Sequence, residues 1–284
     1  MRGLVSGLLF AVLASAAPQA TYEQALSLYN KTDYAASIAV LRTLPESAKS
    51  LELMGRCYLL DGEYKKATES LEKGVQLDPT NSMMWTWLGR AYGRRAETSF
   101  ALNALTLANK TREAFEKAVK LDPKNHEAVN DLFEYYFEAP GMVGGGRDKA
   151  RNLLPLIAKN DPAEAAFAGA RLAEEAKEHK KAEEQLREAV DRAPKQVGRL
   201  LDLARFFARH GRFEESEKTF LEAERLAPDQ PKILYARAEA LIKANRDLST
   251  ARDLLKKYLA SPKLTPDDPS RQEAQKLLKK AQGS

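Results

Sequence analysis

The chain has 284 residues, 44% hydrophobic and 30% charged, and 45 Lys and Arg against 40 Asp and Glu leave a formal charge of +5. That length and apolar content suffice for a packed core, and the interleaved signs describe solvated helix faces rather than the segregated basic stripe of a nucleic-acid binder. Ala, Leu, Glu, Lys and Arg dominate, a helical composition with few strand-rich stretches.

Residues 1–20 stand apart. Arg2 precedes an apolar run from Leu4 to Leu13, and Ala14-Ser15-Ala16 supplies a small-x-small cleavage pattern. This describes a secretory signal peptide, cleaved to leave a mature chain that begins between Ala17 and Thr21. The run is too short for a permanent membrane anchor, and no Cys adjoins the cleavage point to take a lipid. The expected address is therefore periplasmic or secreted. The sole cysteine, Cys57, cannot form an internal disulfide and lies in an apolar helical pattern as a small buried hydrophobe.

Past residue 21 one helix ending recurs. "GVQLDPTN" at 74–81 and "AVKLDPKN" at 118–125 share Val-x-Leu-Asp-Pro-x-Asn, and "AERLAPDQ" at 223–230 is a looser copy. Residues 48–81 place Leu51, Met54, Gly55 and Tyr58 ahead of Ala67, Leu71 and Pro79. The next unit, 82–125, reads Trp85-Thr-Trp-Leu88-Gly89-Arg-Ala-Tyr92. That sequence matches Trp-x-x-Leu-Gly-x-x-Tyr at every specified position, so the chain resembles the tetratricopeptide repeat family, whose period is about 34 residues. The same grid fits 126–162, 163–196, 197–230 and 231–261, with a worn first unit at 22–47 that keeps Ala25, Tyr34 and Leu41.

The resemblance implies an all-α helix-turn-helix solenoid over 21–284, a right-handed superhelix of about seven helix pairs with a polar capping helix at 268–282. It also implies an elongated, curved shape. Gly55, Gly89, Ala170 and Ala204 fall where paired helices cross closely. The prolines stop each second helix at a fixed point, so that the next pair can stack on it.

Two stretches depart from the grid. About ten extra residues within "RRAETSFALNALTLANKTREAF" lengthen the helices of the third unit. In "EAPGMVGGGRDKA", 138–150, four glycines follow Pro140 within six positions. No phosphate-loop or dinucleotide pattern is present there, and a flexible inter-helix loop with Met142 and Val143 at an apolar tip is expected. The region 135–150 is also similar to exported bacterial members of the family, a likeness that carries no biochemical role.

Catalytic constellations are missing. His126, His179 and His210 fall near turns in three different units, with no His-x-x-x-His pair and no Cys-His cluster. No metal, cofactor or catalytic residue is therefore expected. Asp267-Asp268 reads as charge at a helix start.

What remains is the groove. The resemblance implies that the fifth, sixth, ninth, twelfth and thirteenth positions of each repeat face inward. The ninth positions are Arg56, Arg90, Glu134, Arg171, Arg205 and Glu239; Arg94 and Arg209 occupy thirteenth positions and Trp87 a sixth. Two basic sub-sites, Arg56 with Arg90 and Arg171 with Arg205, are expected to flank a central acidic one at Glu134. Such a row suits the carboxylates of an extended peptide, although the family's carboxylate-clamp members use Lys and Asn instead. Pairing of these arginines with Glu52, Asp202 and Glu174 is the plain alternative. The functional expectation is a non-catalytic scaffold of the cell envelope that binds an unidentified protein or peptide and no nucleic acid. The alternatives are a structural subunit of an envelope or secretion assembly that uses end or convex faces, and a glycan-binding protein with Trp87 and Tyr235 as stacking platforms.

Overall fold

The computed structural model describes residues 20–283; the signal-peptide expectation, at residues 1–20, lies outside them save for its last residue. Fifteen α-helices and one 3-10 turn make up the regular structure, with no strand among the described residues. They form seven antiparallel pairs and a terminal helix. The pairs are α1 (Tyr22–Asn30) with α2 (Tyr34–Leu41), α3 (Ala48–Leu60) with α4 (Tyr64–Leu77), α5 (Ser82–Glu97) with α6 (Ala101–Leu121), and α7 (His126–Glu138) with α8 (Arg147–Asn160). They continue with α9 (Pro162–Glu175) and α10 (His179–Arg192), α11 (Val197–Arg209) and α12 (Phe213–Leu226), α13 (Pro231–Lys243) and α14 (Leu248–Ala260), and end on α15 (Arg271–Gln282). The fold is an all-α solenoid. Among the described residues no helix is long and apolar enough to cross a membrane.

The recurring Leu-Asp-Pro-x-Asn is a double cap, in which more than the proline acts. Asp78 ends α4 and its carboxylate accepts the Thr80 amide at 3.1 Å. Three residues on, Asn81 caps α5 by accepting the Met84 amide at 2.9 Å. Asp122 and Asn125 repeat this with Lys124 and Ala128, at 2.9 and 3.1 Å. Each motif therefore ties down the turn that follows one helix and caps the start of the next, satisfying an amide in the turn and one in the new helix. The looser third copy has Gln230 before α13 and no side-chain cap.

Close crossings fix the glycines. A Cβ at Gly55 would stand 2.4 Å from Leu71 Cγ, and one at Gly89 would stand 2.4 Å from Phe115 Cε1. Both neighbours are buried, so the helices approach as they do because no side chain intervenes. Cys57 is buried beside Ser37, whose hydroxyl lies 3.3 Å from its sulfur, and burial pushes its thiol up to about 11.

The two departures from the grid have distinct outcomes. The third unit is lengthened as helix: α5 has 16 residues and α6 has 21. The start of α6 projects into solvent, leaving Phe100 91% and Leu102 83% exposed. The glycine stretch, expected as a flexible loop, is instead a fixed corner. The Gly146 amide donates to Tyr136 O at 2.8 Å, and the Tyr135 hydroxyl reaches the carbonyls of Ala108 and Val143, both at 2.8 Å. A Cβ at Gly145 would overlap Ala139 O at 1.8 Å, and Gly144 sits at φ +88°. Val143 is buried, so Met142 alone is an exposed tip.

The solenoid also returns on itself. Residues 262–270 form turns rather than the start of a helix, and α15 buries Ala274 and Ala281 in one apolar cluster with α13 and α14. Beyond that cluster, Glu273 of α15 accepts a hydrogen bond from Arg94 of α5 at 3.1 Å. A Cβ at Gly62, in the α3–α4 turn, would lie 3.2 Å from the Gln272 amide oxygen. The expected elongated curve is thus bent round until its C-terminal segment meets repeats one to three, closing a ring. The terminal helix does more than end the stack.

Candidate functional site

The first helices of successive pairs stack side by side: α3 against α5, α5 against α7, α11 against α13. Their inward positions form a ladder of charges that is largely satisfied within the protein. Arg90 donates from Nε to Asp131 at 2.5 Å and meets Glu127 at 2.9 Å, both on α7. Arg171 reaches back to α7, to Glu134 and to Glu138, the latter at 2.6 Å. Arg209 grips Glu174 of α9 with two bonds of 3.0 and 2.8 Å, and His210 joins the same carboxylate at 3.1 Å. Arg205 meets Glu239 of α13 at 3.2 Å and Asp202 at 3.6 Å.

At the N-terminal end the expected row is a stack. The guanidinium groups of Arg56 and Arg90 each lie 4.6 Å from the Trp87 ring, a favourable cation–π geometry. Arg56 also donates to the Tyr29 hydroxyl at 3.0 Å and meets Glu52 at 3.7 Å. Trp87 carries a guanidinium over its ring from both neighbours, and Tyr235 packs on Tyr258 at 5.4 Å. The Trp87 ring offered as a glycan platform is thus flanked by protein cations, and the Tyr235 ring has an aromatic neighbour. Arg94 stands apart: it is held by Glu97 at 3.0 Å, by the Tyr64 hydroxyl at 3.3 Å and by Glu273.

The central acidic sub-site does not exist as a separate feature, because Arg171 engages Glu134. The pairing of Arg56 with Glu52, Arg205 with Asp202 and Arg209 with Glu174 follows the plain alternative. A charge row at this spacing faces acids on the neighbouring helices, which supply the partners that a partly desolvated guanidinium needs.

One part of the ladder is different. A cleft of about 480 Å³ opens between α7, α9 and α11, with Phe137 and Phe167 as apolar lining and Arg171, Asp202, Arg205 and Arg209 among its polar groups. A second cleft of about 450 Å³, bounded by Phe213 and Ala240, shares Arg205 and Arg209 with the first. Arg205 stands between the two. Unlike Arg90, Arg171 and Arg209, it forms ion pairs but no hydrogen bond among the described residues, and the same holds for Asp202. Burial pushes the Asp202 carboxyl up to about 6 despite Arg205 and Arg199 beside it. Asp131 is likewise raised to about 6 by burial, against the pull of Arg90. Glu174 goes the other way: burial would raise it, but the bonds from Arg209 and His210 hold it below its ordinary value.

The residues that sequence reasoning passed over were within its own rule. Phe137 is a twelfth position, Phe167 a fifth and Asp131 a sixth, all of which the resemblance turns inward; Asp202, a sixth, and Glu174, a twelfth, are among the acids the sequence already offered as partners. Weighting the ninth and thirteenth positions selected the arginines and left out Asp131, the partner of Arg90. The structure also brings His179 and His210 together, their rings 4.5 Å apart. Among the described residues no cluster of His, Cys, Asp and Glu could hold a metal ion.

Residues 48–81 and 173–240 match family models described as Tetratricopeptide repeat. The chain is 29% identical over 119 residues to RNA polymerase II-associated protein 3 of Mus musculus, covering 32% of this chain and 18% of that one. It is 25% identical over 149 residues to DnaJ homolog subfamily C member 3 of Gallus gallus, covering 51% and 29%. The chain therefore spans less than a third of the length of these curated relatives. Among solved structures, a tetratricopeptide repeat protein of Parabacteroides merdae superposes with a TM-score of 0.60 at 13% identity, over 92% of this chain and 96% of that one. A thermophilic TPR protein of Thermus thermophilus gives 0.52 at 18% identity, over 69% and 96%. These structural likenesses concern the fold.

Proposed function

Because the chain is a tetratricopeptide-repeat protein, we propose that it is a non-catalytic scaffold that receives an extended segment of another protein along the inward face of α7, α9 and α11. The observation that carries this reading is the pair of clefts around Arg205, where a guanidinium and a carboxylate keep unused hydrogen-bonding capacity beside Phe137 and Phe167. An extended segment offers what the site lacks: backbone amides for Asp202, a carbonyl or carboxylate for Arg205, and apolar side chains for the clefts. The proposed docking face leaves out the N-terminal stack of Arg56, Trp87 and Arg90, where the arginines already lie over the Trp87 ring and meet protein partners.

The test is a random-peptide display selection on the immobilised protein, repeated on Arg205→Glu. The wild type should enrich sequences that combine an acidic and an apolar residue, and the variant should lose that enrichment. Charged hydrogen bonds are worth about 1.5–3 kcal/mol, about a ten- to hundredfold change in affinity. The same enrichment on both proteins would reject the site.

The protein's address is proposed as export to the periplasm or beyond, on the strength of Arg2, the apolar run to Leu13 and Ala14-Ser15-Ala16. N-terminal sequencing of native protein should read a start between Ala17 and Thr21, and an intact Met1 on the bulk of it would reject export. A second reading, a subunit that docks by an outer face, draws on the exposed Phe100 and Leu102. Under that reading, Phe100→Ser with Leu102→Ser abolishes co-purification of its neighbours while leaving peptide selection intact.

A further inference from the structure

The contact that closes the ring is unlike those that build it. Neighbouring repeats share apolar clusters: one runs from Ala25 to Ala114, another from Leu234 to Ala281. Among the described residues no apolar cluster contains both the first repeats and the C-terminal segment. The two ends meet through polar groups, Arg94 with Glu273 and Gln272 over Gly62, and a cavity of about 170 Å³ lies between Thr32, Tyr34 and Asp61 on one side and residues 264–272 on the other. The Arg94 and Glu273 side chains are 38% and 39% exposed. A half-exposed ion pair contributes little against water and weakens with salt.

Both partners also have a second home. Arg94 is held by Glu97 and by the Tyr64 hydroxyl whether or not Glu273 is present. One carboxylate oxygen of Glu273 accepts from Arg94, while the other accepts from the Ser270 amide and hydroxyl, both at 3.0 Å, in the capping box that starts α15. Separation of the ends therefore strands no buried charge and uncaps no helix. Leu264, Ala274 and Tyr258 keep their own cluster on the C-terminal side.

We propose that this contact is a reversible clasp: the C-terminal segment 264–273 closes the ring on repeats one to three and opens without unfolding either end. In the closed state Glu273 acts as an internal ligand, a carboxylate seated on a thirteenth-position arginine of the inward face. An acidic segment threading toward the N-terminal repeats would compete with it for Arg94. That competition rests on the groove reading; the clasp itself does not.

Two nitroxide labels, at Lys31→Cys and Lys263→Cys, sit on exposed positions on the two sides of the contact, while Cys57 is buried and stays unlabelled. Pulsed dipolar distances are measured at about 0.1 M and about 1 M salt, over which the screening length falls from about 10 Å to about 3 Å. The expected result is one short distance at low salt and a second, longer population at high salt. Arg94→Glu should show the longer population already at low salt, raised at least about threefold, with a helical circular dichroism spectrum and melting temperature close to wild type. Glu273→Gln, which keeps an oxygen for the cap, should give the same shift and decides the matter if Arg94→Glu fails to fold. Unchanged short distances in both variants and at both salts would show a permanent joint. Long distances alone in the wild type would show that the ring does not close. Either result overturns the clasp.

Discussion

Two glycines one helical turn apart on α5 should respond to the same substitution with opposite signs. A Cβ at Gly89 would lie 2.4, 2.5 and 3.1 Å from three ring atoms of Phe115, a side chain only 5% exposed. The ring is rigid and enclosed, so α5 and α6 must part by close to an ångström along a packed seam. Overpacking of this kind costs about 1–3 kcal/mol. Alanine returns up to about 1 kcal/mol through backbone entropy and helix propensity, leaving Gly89→Ala less stable by about 1–2 kcal/mol. At Gly93 the nearest atom to a new Cβ is Thr111 Cγ2 at 3.6 Å, an ordinary contact. Gly93→Ala should therefore gain about 0.5–1 kcal/mol from the same propensity term alone. The two variants should differ by about 2 kcal/mol in urea denaturation, with unchanged m-values if the fold is kept. Phe115→Leu in the Gly89→Ala background should recover part of the loss, and the double-mutant cycle should give a coupling above about 0.5 kcal/mol. If Gly89→Ala proves as stable as Gly93→Ala, close approach is not what places glycine there.

Gln230→Asn should install the cap that the third copy of the motif lacks and raise stability by about 1 kcal/mol, whereas Asn125→Ala should lose about 2–3 kcal/mol, because Asn125 both caps α7 and donates to Ser82 at 2.7 Å in a buried site. Urea midpoints read both, and equal, small effects would break the double-cap account. Asp202, raised from 3.8 to about 6, favours folding when protonated, so its contribution is present in full below about pH 4 and is lost as pH rises through about 6. Asp202→Asn should thus be more stable than wild type by about 1–3 kcal/mol at pH 7, with the gap closing toward pH 4; a gap independent of pH would contradict the burial of its charge. Cys57, enclosed and with its thiol pushed up to about 11, should resist a disulfide reagent in the folded protein and react promptly in urea; fast reaction without denaturant would place it at the surface.

The repeat architecture was legible because it is written in short-range terms. Gly89 with Tyr92, Asp78 with Asn81 and the stop at Pro79 act within one or two helical turns, so their spacing survives in a linear reading. Trp87 beside Arg90 was legible for the same reason, three residues apart on one helix; that Arg56 of the preceding repeat reaches the same ring was not. The acidic partners of the arginines were less legible. Arg90 meets Asp131 across 41 residues and Arg171 meets Glu134 across 37, so which acid each arginine finds depends on how one first helix sits against the next. The glycine corner at 141–146 reads as loose in sequence, because glycine permits freedom; Tyr135, Arg112 and the Ala139 carbonyl remove it. The ring is the furthest from the sequence. Arg94 and Glu273 are 179 residues apart, and their meeting is the sum of the small rotations between successive stacked pairs. Each rotation is set by side-chain packing at one interface and leaves no periodic mark, so a nearest-neighbour pattern fixes the unit while the assembled tertiary structure decides where the last unit arrives.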